Sequence, residues 1–181
     1  MNNAGINFPC RIEDISGDEI PKLRKMVEIN QLAAYYCAAY AYPSLIKGSN
    51  PTFVIIGSCA SQGSEGQGGY SGTKAALRGL MGTLVREWAA SESRQAVRVN
   101  LIEPDYLEET ALRSASYLNA LAKSRKTTLD KVSNDAVAST KVPVRREGKL
   151  IEVAEAVLYL ILGEYLNGNA LILSGGKTVR I

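Results

Sequence analysis

The hydrophobic positions of the chain change between helical spacing and short, unbroken apolar runs. In the first helical segment Leu23 and Val27 lie on one face, and the pattern continues to about Tyr40. Residues 16–19 have the sequence of a capping box, in which the serine hydroxyl accepts a backbone amide and the glutamate reaches back to the N-cap. We therefore expect a helix that begins at this box and is ended by Pro43.

Three short runs predict strands, and the first of them is apolar and β-branched. They cover residues 52–56, 97–102 and 170–173. Pro104 is expected to stop the second strand, because proline cannot donate to a sheet ladder. The first strand is followed by a loop of small and polar residues at 57–69 that holds five of the 16 glycines. We expect this loop at the ligand-binding edge of the sheet.

Two further amphipathic segments predict helices. One covers residues 152–162, and the other runs from Tyr70 to about Ser91 with an apolar stripe formed by Leu77, Leu80, Met81, Leu84, Val85 and Trp88. The polar stretch 107–142 is expected to form two short helices. This alternation predicts a single α/β domain over residues 1–181, with about three parallel strands and flanking helices.

The composition is ordinary for a globular domain. Of 181 residues, 46% are hydrophobic and 22% are charged, and 21 basic against 18 acidic side chains give a net charge of +3. The basic residues are scattered, which argues against a nucleic-acid surface. The start of the chain does not resemble a signal peptide, and no apolar run approaches the roughly 18 residues of a membrane span. We expect a cytoplasmic protein with neither a nucleic-acid nor a membrane partner.

The cysteines do not suggest a metal site. Cys10, Cys37 and Cys59 form an odd number without a close pair, and the chain contains no histidine. We expect them to be reduced packing residues, and we expect no bound metal.

Tyr70 and Lys74 are candidates for acid/base chemistry. Residues four apart share one face of a helix, so the lysine ammonium is expected beside the phenol. A neighbouring cation stabilises phenolate and lowers the phenol pKa, which would make Tyr70 useful near neutral pH. Taken alone, the pair is more simply explained as two solvated helix-surface residues. The position of the pair directly after a glycine-rich loop favours a functional site.

Ser58 follows the first predicted strand in the same loop. Its hydroxyl could donate to a substrate carbonyl or a developing alkoxide. The alternative is a turn residue that bonds its own backbone. Ser61 and Ser64 are the fallback candidates in this loop.

Asn30 is a polar residue on the apolar face of the first predicted helix. A buried amide needs hydrogen-bond partners. Asn30 is therefore either a satisfied structural amide or a group that holds a water molecule linking the site to solvent.

In this order, these residues resemble the short-chain dehydrogenase/reductase superfamily. The resemblance covers residues 2–178 and includes the segments NNAG at 2–5, VRVNLIEPD, RREGKLIEVAEAVLYL and YLNGNALILSGG, together with Asn30, Ser58, Tyr70 and Lys74. It implies the C-terminal, catalytic half of a Rossmann-like, doubly wound fold. It also implies an NAD(P)-dependent oxidoreductase that interconverts an alcohol and a ketone.

The resemblance implies a role for each site residue. Tyr70 would pass a proton to or from the substrate oxygen, and Lys74 would lower its pKa and hold the nicotinamide ribose. Ser58 would orient the substrate carbonyl, and Asn30 would hold the water of a proton relay. The cofactor would also contact Asn3, Ala4 and Gly5 in one turn and Pro104, Asp105 and Thr110 in another.

Several positions depart from the family pattern. Asp105 stands where glycine is usual, which places a side chain beside the nicotinamide. The threonine expected to bond the carboxamide is displaced, leaving Glu109 or Thr110, and Ser174 replaces an acidic or amide residue. The sequence has no glycine-rich pyrophosphate turn between a strand and a helix. We therefore expect a truncated domain with impaired or absent cofactor binding and an uncovered sheet edge.

Three functions remain open from the sequence. The first is an NAD(P)-dependent oxidoreductase acting on a small-molecule carbonyl or alcohol. The second is a cofactor-independent acid/base enzyme, such as an isomerase, dehydratase or cyclase, that uses the same residues. The third is a non-catalytic pseudoenzyme acting through a dimer face formed by helices at 17–40 and 70–91. This face implies a homo-oligomer or pairing with a full-length relative.

Overall fold

The computed structural model describes residues 1–89, 96–110, 114–134 and 142–179. Three strands, β1 (Thr52–Ile56), β2 (Arg98–Pro104) and β3 (Ala170–Leu173), form one parallel sheet in the order β1-β2-β3. The predicted α/β class with three parallel strands is confirmed. β2 continues to Pro104, which is its last residue, so the strand ends two residues later than predicted.

The register of the strands aligns their carboxyl ends. Ile56 of β1 lies opposite Ile102, and Leu173 of β3 lies opposite Pro104. Every residue of β2 is buried, as expected of a parallel strand with helices on both faces. On the other edge of β1, Asn2 pairs with Ile55, which brings the turn after Asn2 to the same end of the sheet.

Helices pack on both faces of the sheet. They are α1 (Glu19–Met26), α2 (Ala33–Leu45), α3 (Gly68–Ala89), α4 (Ala115–Ser124), α5 (Leu129–Asn134) and α6 (Leu150–Leu162). The two short helices expected within 107–142 are α4 and α5, and the last predicted helix is α6. The second predicted helix is α3, which begins two residues before Tyr70. Its predicted end near Ser91 lies outside the described residues.

The core has one layer on each face of the sheet. Phe53 and Ile55 of β1 point toward α3, where the predicted stripe is buried except for the half-buried Val85. The alternate residues Val54 and Ile56 point toward α6. The indole of Trp88 contacts Phe53 edge-on at 5.8 Å between ring centres. These contacts fix α3, and with it Tyr70, against the sheet.

The first predicted helix does not begin with the expected capping box. α1 starts at Glu19, and Asp18 before it makes no side-chain capping bond. The backbone carbonyl of Ser16, and not its hydroxyl, accepts the amides of Glu19 and Ile20 at 3.0 and 3.2 Å. The capping-box prediction is therefore wrong, because the chain already turns at residues 17–18.

The same helical segment continues past its predicted end and contains one wide turn. Pro43 lies inside α2, so the prediction that it ends the helix is wrong. The proline is close to the end of α2, where it removes a single helical hydrogen bond. Between α1 and α2, residues Val27–Leu32 form a π-helical turn, a feature frequently found at functional sites. This turn contains Asn30.

Candidate active site

A cavity of about 900 Å³ opens at the carboxyl ends of β1 and β2. In parallel α/β sheets this is the edge where ligands bind. Its wall contains eight of the residues predicted for the site: Asn3, Gly5, Ser58, Tyr70, Lys74, Pro104, Asp105 and Thr110. The structure thus brings most of the predicted site together. Ala4 and Asn30 lie outside the cavity wall.

Tyr70 lies in the first turn of α3 and is buried. Its phenol shares the cavity wall with Ser58, whose hydroxyl accepts the amide of Ala60 at 3.1 Å. The start of α3 can pack this closely because residue 69 is glycine: a Cβ there would lie 2.6 Å from a methyl carbon of Leu23. Glycine at this position therefore lets the first turn of α3, which contains Tyr70, pack closely against α1.

The fallback serines make other contacts. The Ser61 hydroxyl donates to a carboxylate of β2, and the Ser64 hydroxyl accepts from Gln67 and Arg125 at 3.2 Å in both cases. Of the three loop serines, Ser58 is the one that affects the pKa of Tyr70.

Burial dominates the electrostatics of Tyr70. Burial raises the pKa of Tyr70 above its ordinary value, and the hydrogen bond from Ser58 opposes this rise. The Lys74 nitrogen lies 5.8 Å from the centre of the Tyr70 ring. The prediction that Lys74 leaves Tyr70 with a lowered pKa is wrong for this arrangement, because the desolvation of the phenolate outweighs any attraction to the ammonium.

Lys74 is itself buried, with 3% of its surface exposed. Its ammonium donates to the carbonyl of Ile56 at 3.0 Å, and burial lowers its pKa to about 8. A Cβ on Gly5 would lie 3.3 Å from the Lys74 nitrogen, so glycine lets the turn after Asn2 approach the ammonium closely. The cavity wall therefore contains a lysine whose charged form is disfavoured by burial.

Replacing Lys74 with methionine is expected to stabilise the fold near neutral pH by up to about 3 kcal/mol. The folded pKa of Lys74, about 8, lies below its ordinary value of 10.5. Between these values the unfolded chain binds a proton that the folded chain lacks, so Lys74 destabilises the fold fully below this window and progressively less across it. Urea unfolding of the wild type and the variant between pH 7 and pH 11, roughly spanning the window, measures the difference.

The stability difference should therefore shrink as the pH rises through the window. Lys47, which is exposed, offers the matched control, since Lys47→Met should give no such pH dependence. A Lys74→Met effect that stays constant over the whole pH range would show that burial does not disfavour the ammonium.

The Asn30 side chain connects the π-helical turn to the N-terminal segment and to α3, and it does not line the cavity. Its side-chain NH₂ donates to the carbonyl of Ile6 at 2.8 Å and to the hydroxyl of Thr73 at 3.1 Å, and its oxygen accepts the Ile6 amide at 2.8 Å. The predicted burial is confirmed, since 1% of Asn30 is exposed. Thr73 was not identified from the sequence. The role of Asn30 in holding water stays a prediction.

Asp105 is paired with a residue that the sequence did not identify. The Lys177 ammonium lies 2.8 Å and 3.1 Å from the two carboxylate oxygens of Asp105, and 4.1 Å from the ring centre of Tyr106. Asp105 follows β2 and Lys177 follows β3, so the partnership depends on the two strands being neighbours. The charge placed at position 105 is therefore compensated within the cavity wall.

Two further findings concern the described residues only. No helix among them is long and apolar enough to cross a membrane, and they contain no cluster of three His, Cys, Asp or Glu side chains suited to a metal ion. Burial raises the pKa of Cys59 to about 12, so this thiol stays protonated near neutral pH.

Comparison with known proteins identifies the family. Residues 1–120 match the model for short chain dehydrogenase. The chain is 33% identical over 190 residues to sorbitol-6-phosphate 2-dehydrogenase of Klebsiella pneumoniae, covering 98% of this chain and 68% of that protein. It is 25% identical to 3-oxoacyl-[acyl-carrier-protein] reductase of Bos taurus, covering 97% of this chain and 64% of that protein. The chain belongs to the short-chain dehydrogenase family.

The fold agrees with this assignment. The ligand-free aldohexose dehydrogenase of Thermoplasma acidophilum superposes with a TM-score of 0.80 at 26% identity, covering 99% of this chain and 67% of that chain. The chain thus spans about two thirds of the length of the relatives that it matches. The three-stranded sheet with its flanking helices corresponds to part of the Rossmann-like domain of these proteins.

Proposed function

We propose that this chain is an NAD(P)-dependent oxidoreductase that interconverts an alcohol and a ketone. Its reacting groups are Ser58, Tyr70 and Lys74. The observation that carries the proposal is that Ser58, Tyr70 and Lys74 line one cavity, with the Lys74 nitrogen 5.8 Å from the centre of the Tyr70 ring. Membership of the short-chain dehydrogenase family supports the same chemistry.

The side chains would handle the proton of this reaction. Tyr70, whose raised pKa keeps the phenol protonated near neutral pH, would donate a proton to the oxygen of a ketone as the carbonyl is reduced. The Ser58 hydroxyl would donate a hydrogen bond to the same oxygen and stabilise its developing charge. In the opposite direction Tyr70 must first lose its proton, so alcohol oxidation would become faster as the pH rises.

The residues present fit the nicotinamide-ribose end of the cofactor. Lys74 has three N–H donors, of which one is used on Ile56, so two remain for ribose hydroxyls. Gly5 keeps the neighbouring turn close to this ammonium. When bound, the nicotinamide would supply or accept the hydride.

The sequence lacks the usual binding turn for the pyrophosphate end of the cofactor. A glycine-rich turn between a strand and a helix, which would present amides to the phosphates, is not found in this sequence. We therefore propose that these 181 residues alone bind the dinucleotide weakly, mainly through Tyr70, Lys74 and the turn at residues 3–5.

The substrate that we propose is a phosphorylated polyol. The relative from Klebsiella pneumoniae is by its name a dehydrogenase of sorbitol 6-phosphate. In this chain, Arg125 lines the cavity, and its guanidinium contacts two neutral acceptors, the carbonyl of Glu65 at 3.1 Å and the hydroxyl of Ser64. Such an arginine is suited to hold a phosphate at one end of the substrate.

Oxidation of sorbitol 6-phosphate and of sorbitol by NAD⁺ and NADP⁺ tests the function and the substrate class. We expect reduced nicotinamide to form, with kcat/KM about tenfold or more higher for the phosphorylated polyol, since a charge-assisted hydrogen bond contributes about 1.5–3 kcal/mol. Arg125→Met should remove this preference and leave sorbitol oxidation unchanged, whereas Arg24→Met, an exposed control, should change neither.

Two results would contradict these proposals separately. Equal kcat/KM for the two polyols would overturn the phosphate-binding role of Arg125. No reduced nicotinamide from any alcohol offered to the folded chain would overturn the oxidoreductase function of these residues.

We further propose that the chain associates through the helices that flank its sheet. The outer face of α2 leaves Tyr36 and Tyr40 exposed, at 58% and 85% of their surface. Exposed aromatic residues on one helix face favour burial against another protein surface. The partner would be a second copy or a longer relative. Cytoplasmic localisation stays a prediction.

A further inference from the structure

Glu103, near the end of β2, is a charged residue with none of its surface exposed. A buried carboxylate is stable only when it is paired and hydrogen-bonded. One of its oxygens accepts the Ser61 hydroxyl at 2.7 Å and the side-chain Nε of Arg78 at 2.9 Å. Its other oxygen accepts from a terminal nitrogen of the same guanidinium. One carboxylate therefore connects β2, the loop after β1 and α3.

The loop that Glu103 binds is the one that presents Ser58. Residues Cys59–Gln62 form a 3₁₀ turn directly after Ser58, and the Ser58 carbonyl accepts the amide of Ser61 at 3.0 Å. The Cys59 thiol also donates to the main-chain carbonyl of Glu103 at 3.2 Å. Glu103 thus holds this turn through its side chain and through its backbone.

The helix that Glu103 binds is the one that presents Tyr70. Arg78 lies four residues after Lys74 and eight after Tyr70, so the three side chains share one face of α3. The ion pair between Arg78 and Glu103 therefore sets how closely this face approaches the end of β2. Arg78 is partly exposed, whereas its partner is fully buried.

We propose that Glu103 is a positioning residue that fixes Ser58 against Tyr70, because one carboxylate holds both the 3₁₀ turn and α3. This inference rests on the proposed function only in taking Ser58 and Tyr70 as the acid/base pair. Two substitutions separate the two contacts. Glu103→Gln removes the charge that pairs with Arg78, and Ser61→Ala removes the contact to the turn but keeps the ion pair.

Hydrogen exchange of backbone amides measures the order of the turn in both variants. We expect the amides of Ala60 and Gly63, which are bonded within the turn, to exchange about tenfold faster than in the wild type. The amides of Val99 and Leu101 in β2 should change far less. A uniform acceleration of turn and strand amides would reveal a merely stabilising role and overturn the proposal.

The NMR signal of the Tyr70 ring carbon that bears the hydroxyl measures the effect on the site. Glu103→Gln should shift this signal, because the carboxylate no longer holds the turn that places the Ser58 hydroxyl near the phenol. In a chain that already has Ser58→Ala, the same substitution should leave the signal unchanged. A shift of equal size in both backgrounds, or none in either, would show that Glu103 does not act through Ser58.

A matched control is available on the surface of the chain. Glu152 pairs with Arg146 through both carboxylate oxygens but lies outside the large cavity, so Glu152→Gln should change neither measurement. If Glu103→Gln does not fold, Ser61→Ala decides the question through the exchange rates of Ala60 and Gly63. Neither measurement requires nucleotide or substrate, so a lack of enzymatic turnover would leave this test intact.

Discussion

Tyr70→Phe is expected to lower kcat for polyol oxidation by a factor of about 10² to 10⁴, the usual contribution of a positioned acid or base. The phenyl ring fills the same buried space, so the fold should be kept, while the hydroxyl proposed to transfer the proton is lost. Steady-state kinetics together with circular dichroism measure both effects. The loss should appear in kcat with little change in KM, because the proton transfer occurs in the transition state.

Tyr159→Phe is the control for this experiment, because Tyr159 is an exposed tyrosine on α6, outside the cavity. It should leave kcat unchanged. The pH dependence provides a second check. Since the pKa of Tyr70 is raised, oxidation should still be increasing above neutral pH, where the phenol begins to lose its proton. If Tyr70→Phe kept most of the wild-type turnover, another group would have to move the proton.

Arg98→Met is expected to lower the free energy of unfolding by about 3–5 kcal/mol, the effect of breaking a buried polar network. Arg98 lies in β2 and is 6% exposed. Its guanidinium donates at 2.8–3.1 Å to the backbone carbonyls of Leu160, Ile161, Gly163 and Leu166, at and after the end of α6. Methionine fills similar space but removes this donor from the carbonyls of Leu160 and Ile161, whereas those of Gly163 and Leu166 keep the Leu166 amide and the Asn100 side chain.

Urea unfolding followed by circular dichroism measures this loss. Arg86→Met is the matched control, because Arg86 is exposed on α3 and its guanidinium bonds one carbonyl of its own helix. It should change stability by less than about 0.5 kcal/mol. If Arg98→Met were equally mild, the carbonyls after α6 would have to be satisfied in another way.

The strands could be predicted because their apolar runs are a local signal. The runs at Thr52–Ile56 and Ala170–Leu173 match β1 and β3 residue for residue. Strands packed between helices are rich in apolar residues, so a short apolar run indicates a strand. The bounds of α1 and α2 were harder to predict. A π-helical turn and a proline near the end of α2 both interrupt the hydrophobic period, although neither ends the helical segment.

The proximity of the three residues proposed for acid/base chemistry could be predicted because their spacing is also local. Ser58 follows β1 by two residues, and Tyr70 and Lys74 are one helical turn apart. The pKa of Tyr70 could not be predicted, because burial by the whole fold outweighs the effect of a nearby lysine.

The residues that support the site could not be predicted, because their partners are distant in sequence. The segment VRVNLIEPD shows that Arg98 and Glu103 are charged residues in a strand, which indicates that each needs a buried partner. Which partners they have follows from the packing of α3 and α6 on the sheet. Lys177 is a similar case, because its contact with Asp105 depends on the pairing of β2 with β3.

Titration of the 181-residue chain with NADH and NADPH by calorimetry, with the oligomeric state recorded in the same sample, tests the central claim most directly. Saturable binding that Lys74→Met weakens by about tenfold is expected, since the variant loses the ammonium assigned to the ribose hydroxyls. Binding of equal strength in both proteins, or no binding by a folded wild-type chain, would contradict the assignment of Tyr70 and Lys74 to a nicotinamide site.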